Sequence, residues 1–389
     1  MATISVVKKR GESILAGRNK YAFDYWLLLA TAALLVFGFL MVYSTTFDLG
    51  LRYKENPVYY LTRQLGAMGI GVFVAVILMQ FDYHVLRYAS VPLIAVTIVL
   101  LLFVLFFGAV DYGAARALSQ GSYQPSELAK LATILYIAHW LYSKGDKIKQ
   151  INYGLVPFSI ITGAMFALIV LQPALSTAIL VTLISFTLFF VAGADLKQVL
   201  VVGLFASVVV AFMMVTLPHA AQRVTDYRAA LVDPFQAGYQ VRQALGALAN
   251  GGLFGVGLGE GVQKFGALPL AHTDGVFAIV GEELGLFGAL LLVGLLAFMA
   301  WRGFRVASRA RDTYGFLLAV GVTVWIGYQA LINLAVITSV IPFTGMPLPF
   351  LSYGGSSMLI TVIGVGILLN VSRDGAMGGR QPRRRQQQD

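Results

Sequence analysis

The chain has 389 residues, of which 58% are hydrophobic and 12% charged, with a mean hydropathy of +0.78. A soluble domain carries about 25% charged residues, so the composition excludes one and reads as an integral membrane protein. The absence of cysteine excludes disulfides, thiolate metal sites and a cysteine nucleophile, and a net charge of +10 in such a chain marks a cytoplasmic side rather than a nucleic-acid partner.

Residues 1–24 read as a polar, basic cytoplasmic tail without a secretory-signal pattern. About 20 apolar residues cross a bilayer. Ten such segments predict an all-α fold of ten transmembrane helices, over 25–46, 62–80, 88–107, 126–143, 155–172, 174–192, 198–217, 275–300, 316–340 and 352–372. The fifth and sixth are divided at Gln172-Pro173, because proline disfavours helix in the residue before it. An even number of crossings puts both termini on one side. That side carries 19 of the 28 Lys and Arg residues, so the positive-inside rule places both termini in the cytoplasm. Residues 373–389 read as a disordered tail. No internal repeat of the transporter kind is visible.

One long external loop, 218–274, then separates the seventh and eighth helices. FQAGYQVRQALGALA (235–249) reads as an amphipathic surface helix. NGGLFGVGLGEG (250–261) lacks the strand–turn–helix frame of a nucleotide site and reads as a flexible or tightly turning loop.

The loop ends in LPLAHTDGVFAIVGEELG (268–285). A carboxylate in a membrane segment costs about 2.5–3.5 kcal/mol at the centre, so residues kept there usually face a cavity, a pathway or a partner. Asp274 has two compatible readings, a helix N-cap and a functional carboxylate. Glu282 and Glu283 cannot both face lipid, and read as a buried pair hydrogen-bonded to neighbouring helices. His272 has no second histidine near it, so no metal site is predicted. QPSELAK (124–130) opens the fourth helix, with Ser126 as N-cap and Glu127 in the first turn, three residues from Lys130 on one face. That pair reads either as an ion pair locking helix packing or as a phosphate contact. Arg63, Arg116, Arg223 and Arg228 gather on the same outer side, which suggests an anionic, phosphate-bearing substrate. IPFTGMPLPFLSYGGSSM (341–358) implies irregular backbone around a cavity, which Ser352, Ser356 and Ser357 would line. Gln124, Ser126, His272, Thr273 and Glu283 complete the candidate substrate-binding set.

QPSELAK, LQPALSTAI (171–179), LPLAHTDGVFAIVGEELG and MPLPFLSYGGSS (346–357), in this order, resemble the SEDS family, which includes FtsW, RodA and SpoVE. GLFGVGLGEGVQKFGALPLAHTD (252–274) resembles the FtsW branch. The resemblance implies a glycosyltransferase that polymerises lipid II at the outer face of the bacterial cytoplasmic membrane, at the division septum. It implies as partners a class B penicillin-binding protein and other division proteins of the membrane. It maps the essential carboxylate to Asp274 as general base, the polar pair to Glu127 and Lys130, and a cation ahead of them to Arg116. A divalent cation, Mg or Mn, would assist Lys130 and Arg116 at the leaving pyrophosphate. Three departures stand out: Ala174 and Ser176 replace the pattern around a common acid, Gly275 replaces a phenylalanine, and Ala117 a tryptophan. An elongation polymerase of RodA type, a lipid II transporter and a scaffold that only activates its partner are the alternatives.

Overall fold

The structure, a computed structural model, describes residues 23–111, 114–117, 123–233 and 237–378. The expectations for residues 1–22 and 379–389 lie outside these. The fold is all-helical apart from a small hairpin, β1 (Ala109–Asp111) with β2 (Ala114–Ala117), which the sequence did not announce.

The first four helices are α1 (Tyr25–Lys54), α2 (Tyr59–Gln80), α3 (Leu86–Phe107) and α4 (Pro125–Lys144). Asp24 caps α1 by accepting from the Leu27 N–H at 2.9 Å. The buried positions Leu27, Ala30, Thr31, Leu34, Gly38, Met41, Val42 and Thr45 then recur at helical spacing. At Gly38 a Cβ would stand 2.1 Å from the Phe350 carbonyl oxygen, so only glycine lets α1 approach that backbone. Then come α5 (Val156–Val170), α6 (Leu175–Val191) and α7 (Leu196–Thr216). The break at Pro173 is present, with φ of 29°. Buried Gln172 donates from Nε2 to the Leu101 carbonyl at 2.7 Å.

The expected loop 218–274 is not a plain loop. It folds into α8 (Pro218–Val232) and α9 (Tyr239–Gly251), the second close to the expected amphipathic helix. Residues 252–275 then lie back against α10 (Val276–Ala307). The core is completed by α11 (Thr313–Ile337) and α12 (Gly355–Gly378), which runs six residues into the expected tail. Among the described residues eight helices, α1, α2, α3, α5, α7, α10, α11 and α12, are long and apolar enough to cross a membrane; α4 is not one of them, and α6 is apolar but shorter. Helix α11 is central and buried along most of its length, whereas α7 buries only Gln198 and Val199.

The glycine run is held, not loose. Gly285, with φ 66° and ψ −166°, interrupts α10. The Glu282 and Glu283 carbonyls accept from Val256 and Gly257 N–H at 3.0 Å each, while Leu286 and Phe287 N–H donate to Gly252 and Leu253 carbonyls at 2.9 and 3.2 Å. The glycine loop supplies the partners that a broken helix would otherwise lack, a necessity where no water reaches.

Polar side chains fasten the bundle at both ends. At the end nearer the termini, Arg302 pairs with Asp24 at 2.5 Å, the Tyr83 hydroxyl donates to Asp312 at 2.7 Å, and the His84 ring lies between Asp82 and Asp312 at 2.5 and 2.9 Å. At the opposite end, the segment between α11 and α12 meets α2, α6, α8 and the turn before α10. The candidate site lies there.

Candidate functional site

Residues 338–354 carry no regular hydrogen-bonded ladder, so other elements must satisfy their backbone. From α11, Gln329 Nε2 donates to the Pro347 carbonyl at 2.9 Å, and Asn333 Nδ2 donates to those of Met346 at 2.7 Å and Asp274 at 2.9 Å. Gln64 of α2 donates to the Ser352 carbonyl at 3.1 Å and accepts from Gly354 N–H at 3.1 Å. Ser176 Oγ of α6 donates to the Thr344 carbonyl at 2.7 Å, and Arg223 of α8 donates to the same oxygen at 3.2 Å. Residue 176 thus reaches this segment through its hydroxyl.

The His272–Asp274 turn is stitched to the same segment. Tyr353 N–H donates to the His272 carbonyl at 2.8 Å, and Ser352 Oγ donates to that of Thr273 at 2.5 Å while accepting from Leu348 N–H at 2.7 Å. Thr273 Oγ1 itself donates to the Leu270 carbonyl at 3.2 Å. The backbone of the turn is therefore fixed at all three residues, and the half-buried Asp274 carboxylate is presented from it. It lies close to Gly345, where a Cβ would stand 3.2 Å from Asp274 Oδ2. Partial burial lowers the Arg223 pKa, and the Asp274 carboxylate partly offsets this, which places the two charges within electrostatic reach. Beside them, a cavity of about 160 Å³ is lined by Arg223, Asp226, Tyr227, Tyr239, Ile341 and Phe343.

Two capping expectations are corrected. Helix α10 is capped by Gly275 without a side-chain bond, so the Asp274 side chain is not spent on the helix terminus. Helix α4 begins at Pro125 after Gln124, because proline suits the first helical position. Ser126 is inside the helix and buried, with its hydroxyl unbonded among the described residues. Gln124 N–H is taken instead by Ser356 Oγ at 3.0 Å.

Glu127 and Lys130 do pair, at 2.8 Å, and both are buried, Lys130 to 2% exposure. Lys130 also donates to Gln329 Oε1 at 2.9 Å and lies 5.3 Å from the Trp325 ring centre; Trp325 Nε1 donates to that same oxygen. Burial, with Glu127 adding to it, pushes the neighbouring Tyr123 hydroxyl up to about 12, so it stays protonated. Lys130 and Asp274 are thereby connected through one face of α11: Gln329 takes Lys130, and Asn333, one turn on, takes the Asp274 backbone.

Arg63 is exposed on α2 beside Tyr59, its guanidinium 5.7 Å from that ring centre. Arg116 stands in β2, and its side chain lies outside the described part. Ser352 is a buried latch whose hydroxyl is taken up by Thr273 and Leu348. Glu283 is apart from this site. It is fully buried, pairs with Lys264 at 2.6 Å and accepts from Ser44 at 2.6 Å. Glu282 accepts from Asn250 Nδ2 at 3.0 Å and from the N–H groups of Val262 and Gln263 at 3.2 and 3.3 Å. The buried-pair reading of the two glutamates holds, and the pair anchors the glycine loop.

Sequence reasoning missed Gln64, Trp325, Gln329 and Asn333. Their signal was there: three polar-tipped residues at spacing of four in an otherwise apolar helix, a pattern that membrane helices keep for internal contacts.

A family model described as "Cell cycle protein", FTSW_RODA_SPOVE, matches residues 25–376. The chain is 37% identical over 364 residues to the "Probable peptidoglycan glycosyltransferase FtsW" of Geobacter sp. (strain M18), covering 91% of this chain and 98% of that one. It is 39% identical over 355 residues to "Stage V sporulation protein E" of Bacillus subtilis (strain 168), covering 90% and 97%. Among solved structures, it is similar to a chain of a peptidoglycan synthase complex that coordinates polymerization and crosslinking, with TM-score 0.73, 30% identity and 91% and 98% coverage. It is also similar to the rod shape determining protein RodA of Thermus thermophilus, with TM-score 0.67, 29% identity and 91% and 97% coverage.

Proposed function

The chain belongs to the FtsW/RodA/SpoVE family, and we propose that it is a peptidoglycan glycosyltransferase that polymerises lipid II at the outer face of the bacterial cytoplasmic membrane. The observation that carries this reading is Asp274. Its turn is fixed through three consecutive backbone carbonyls, the helix after it is capped at Gly275, and the Arg223 charge lies within electrostatic reach of it.

In this reading Asp274 takes the proton from the 4-hydroxyl of the acceptor sugar. The freed oxygen attacks the anomeric carbon of the donor strand, and the bond from that carbon to the lipid diphosphate breaks. A positioned base contributes about 10²–10⁴-fold. Charge then accumulates on the departing diphosphate, where Arg223 and Arg63 are cations on the outer side and Arg116 is the one that the resemblance assigns. Lys130 acts through the Glu127–Gln329 network, which fixes the face of α11 that also holds Asp274. The described residues hold no group of three His, Asp or Glu for a metal ion. A divalent cation would therefore be held by Asp274 and substrate phosphate oxygens together, and would supply charge neutralisation.

Counting α4 and α6 as crossings gives ten, with both termini cytoplasmic and α8, α9 and the site outside. The FtsW and SpoVE relatives favour a septal or sporulation role over elongation, and RodA keeps the elongation reading in view. A lipid II transporter is disfavoured because buried Lys130, Lys264 and Arg302 each have a carboxylate partner and, among the described residues, leave no unpaired relay across the bundle. The relationship to a synthase complex supports a class B penicillin-binding protein as partner. The test is lipid II polymerisation by the purified protein, with and without that partner. Polymer from the wild type and none from Asp274→Ala supports the reading; lipid II transport without any polymer overturns it.

A further inference from the structure

Three rings at the open end of the bundle have no part in the chemistry described above. Tyr60 of α2 meets Tyr353 edge-to-face, with centroids 5.2 Å apart and planes at 89°. The His272 ring completes a triangle with them, 6.4 Å from Tyr60 and 6.0 Å from Tyr353, tilted 43° and 50°. All three are half-buried, so each keeps part of its surface open. Their backbones are tied: Tyr353 N–H bonds the His272 carbonyl, and Gln64, one turn after Tyr60, brackets Tyr353 through Ser352 and Gly354. The triangle is rigid before any ligand arrives, which removes an ordering cost on binding.

The chemistry of this surface is specific. Aromatic faces carry negative charge density and suit the weakly positive C–H face of a pyranose. The His272 ring makes no hydrogen bond among the described residues, and burial pushes its pKa down to about 4, so near neutral pH it carries one N–H donor and one lone-pair acceptor. A hydroxyl or an acetamido group can use both. An ammonium ligand, the other common guest of aromatic corners, is disfavoured because the Arg63 charge already acts on Tyr353.

We propose that Tyr60, Tyr353 and His272 form a stacking platform for one pyranose of the sugar–diphospholipid substrate, and that this platform brings the acceptor sugar to Asp274, two residues beyond His272. The inference rests on the glycosyltransferase reading and deepens it. It assigns Tyr60, on α2 and outside the turn that carries Asp274, to substrate recognition rather than to chemistry.

The test uses Tyr60→Phe and Tyr60→Leu in the full-length protein with its penicillin-binding partner. Lipid II polymerisation should show a smaller rise in KM in Tyr60→Phe, which retains the ring, than in Tyr60→Leu. In Tyr60→Leu the KM should rise roughly threefold to tenfold with a smaller change in kcat. A second arm needs no turnover: binding of lipid II and of undecaprenyl diphosphate, which has no sugar, to Asp274→Ala protein with and without Tyr60→Leu. Weaker binding of lipid II alone supports the platform even where the wild type makes no polymer, and so separates its fate from that of the enzyme reading. Equal weakening of both lipids, or no change in either, overturns it.

Discussion

Asn333 donates one amide N–H to the Asp274 carbonyl at 2.9 Å and another to the Met346 carbonyl at 2.7 Å. A single buried side chain on α11 therefore joins the turn that presents the carboxylate to the irregular segment around it. Asn333→Ala leaves two carbonyls without their donor, at about 1–3 kcal/mol for an unsatisfied buried group. The expected result is a lower melting temperature together with a more than tenfold fall in polymerisation per folded molecule. Unchanged activity per folded molecule would show that Asp274 does not depend on this tether.

Asp274→Ala and Asp274→Asn should both lose about 10²–10⁴-fold in turnover, the share of a positioned base. Because the side chain caps no helix, the melting temperature should move little. Initial rates with lipid II and a thermal melt on the same samples decide it, and near wild-type strand synthesis by either variant sinks the general-base role.

Lys130 and Glu127 form a buried pair, and removing one partner of such a pair costs about 3–5 kcal/mol because the other charge is stranded. Lys130→Ala alone thus confounds stability with chemistry. Replacing both, as Glu127→Leu with Lys130→Met, keeps volume and removes both charges, which is often close to neutral for stability. If the pair only orders α11, the double variant should melt near wild type and keep much of its activity. Loss of turnover in a stably folded double variant would instead assign Lys130 a direct part at the diphosphate.

His272 gives a pH signature with a definite sign. Its pKa is about 4 when folded, against 6.5 for a free histidine. Between those values the unfolded chain binds a proton that the folded chain refuses, so stability falls as pH drops from about 6.5 toward 4 and is unaffected above 6.5. The penalty amounts to roughly 3 kcal/mol at its limit. Melting curves of wild type and His272→Gln from pH 7.5 to 5 should converge at the acid end if wild type starts the more stable. Parallel curves would show that His272 is not the group being protonated.

Much of the fold was legible because hydrophobic run length is a direct physical record of a bilayer. The segment 198–217 appears as Leu196–Thr216, and 155–172 as Val156–Val170, each within about two residues at either end. The Glu127–Lys130 pair was legible too, since residues three apart share a helix face whatever surrounds them. The caps were misassigned at Ser126 and Asp274 because capping depends on where the first helical residue falls. Pro125 and Gly275 moved that point by one or two positions.

Sequence by itself determined the class of protein, the order of its apolar helices, and which acidic and basic side chains stand in costly places. Apolar length and the expense of a charge in lipid are local properties that each stretch carries alone. Only the tertiary structure decided what those side chains do. Glu283, grouped with the site by its nearness to Asp274, turned out to serve the glycine loop through Lys264. Gln329 and Asn333, unremarkable in an apolar run, turned out to hold the segment that surrounds Asp274. The reason is physical: a buried polar group is defined by its partner, and here the partners lie from 13 to 290 residues away along the chain.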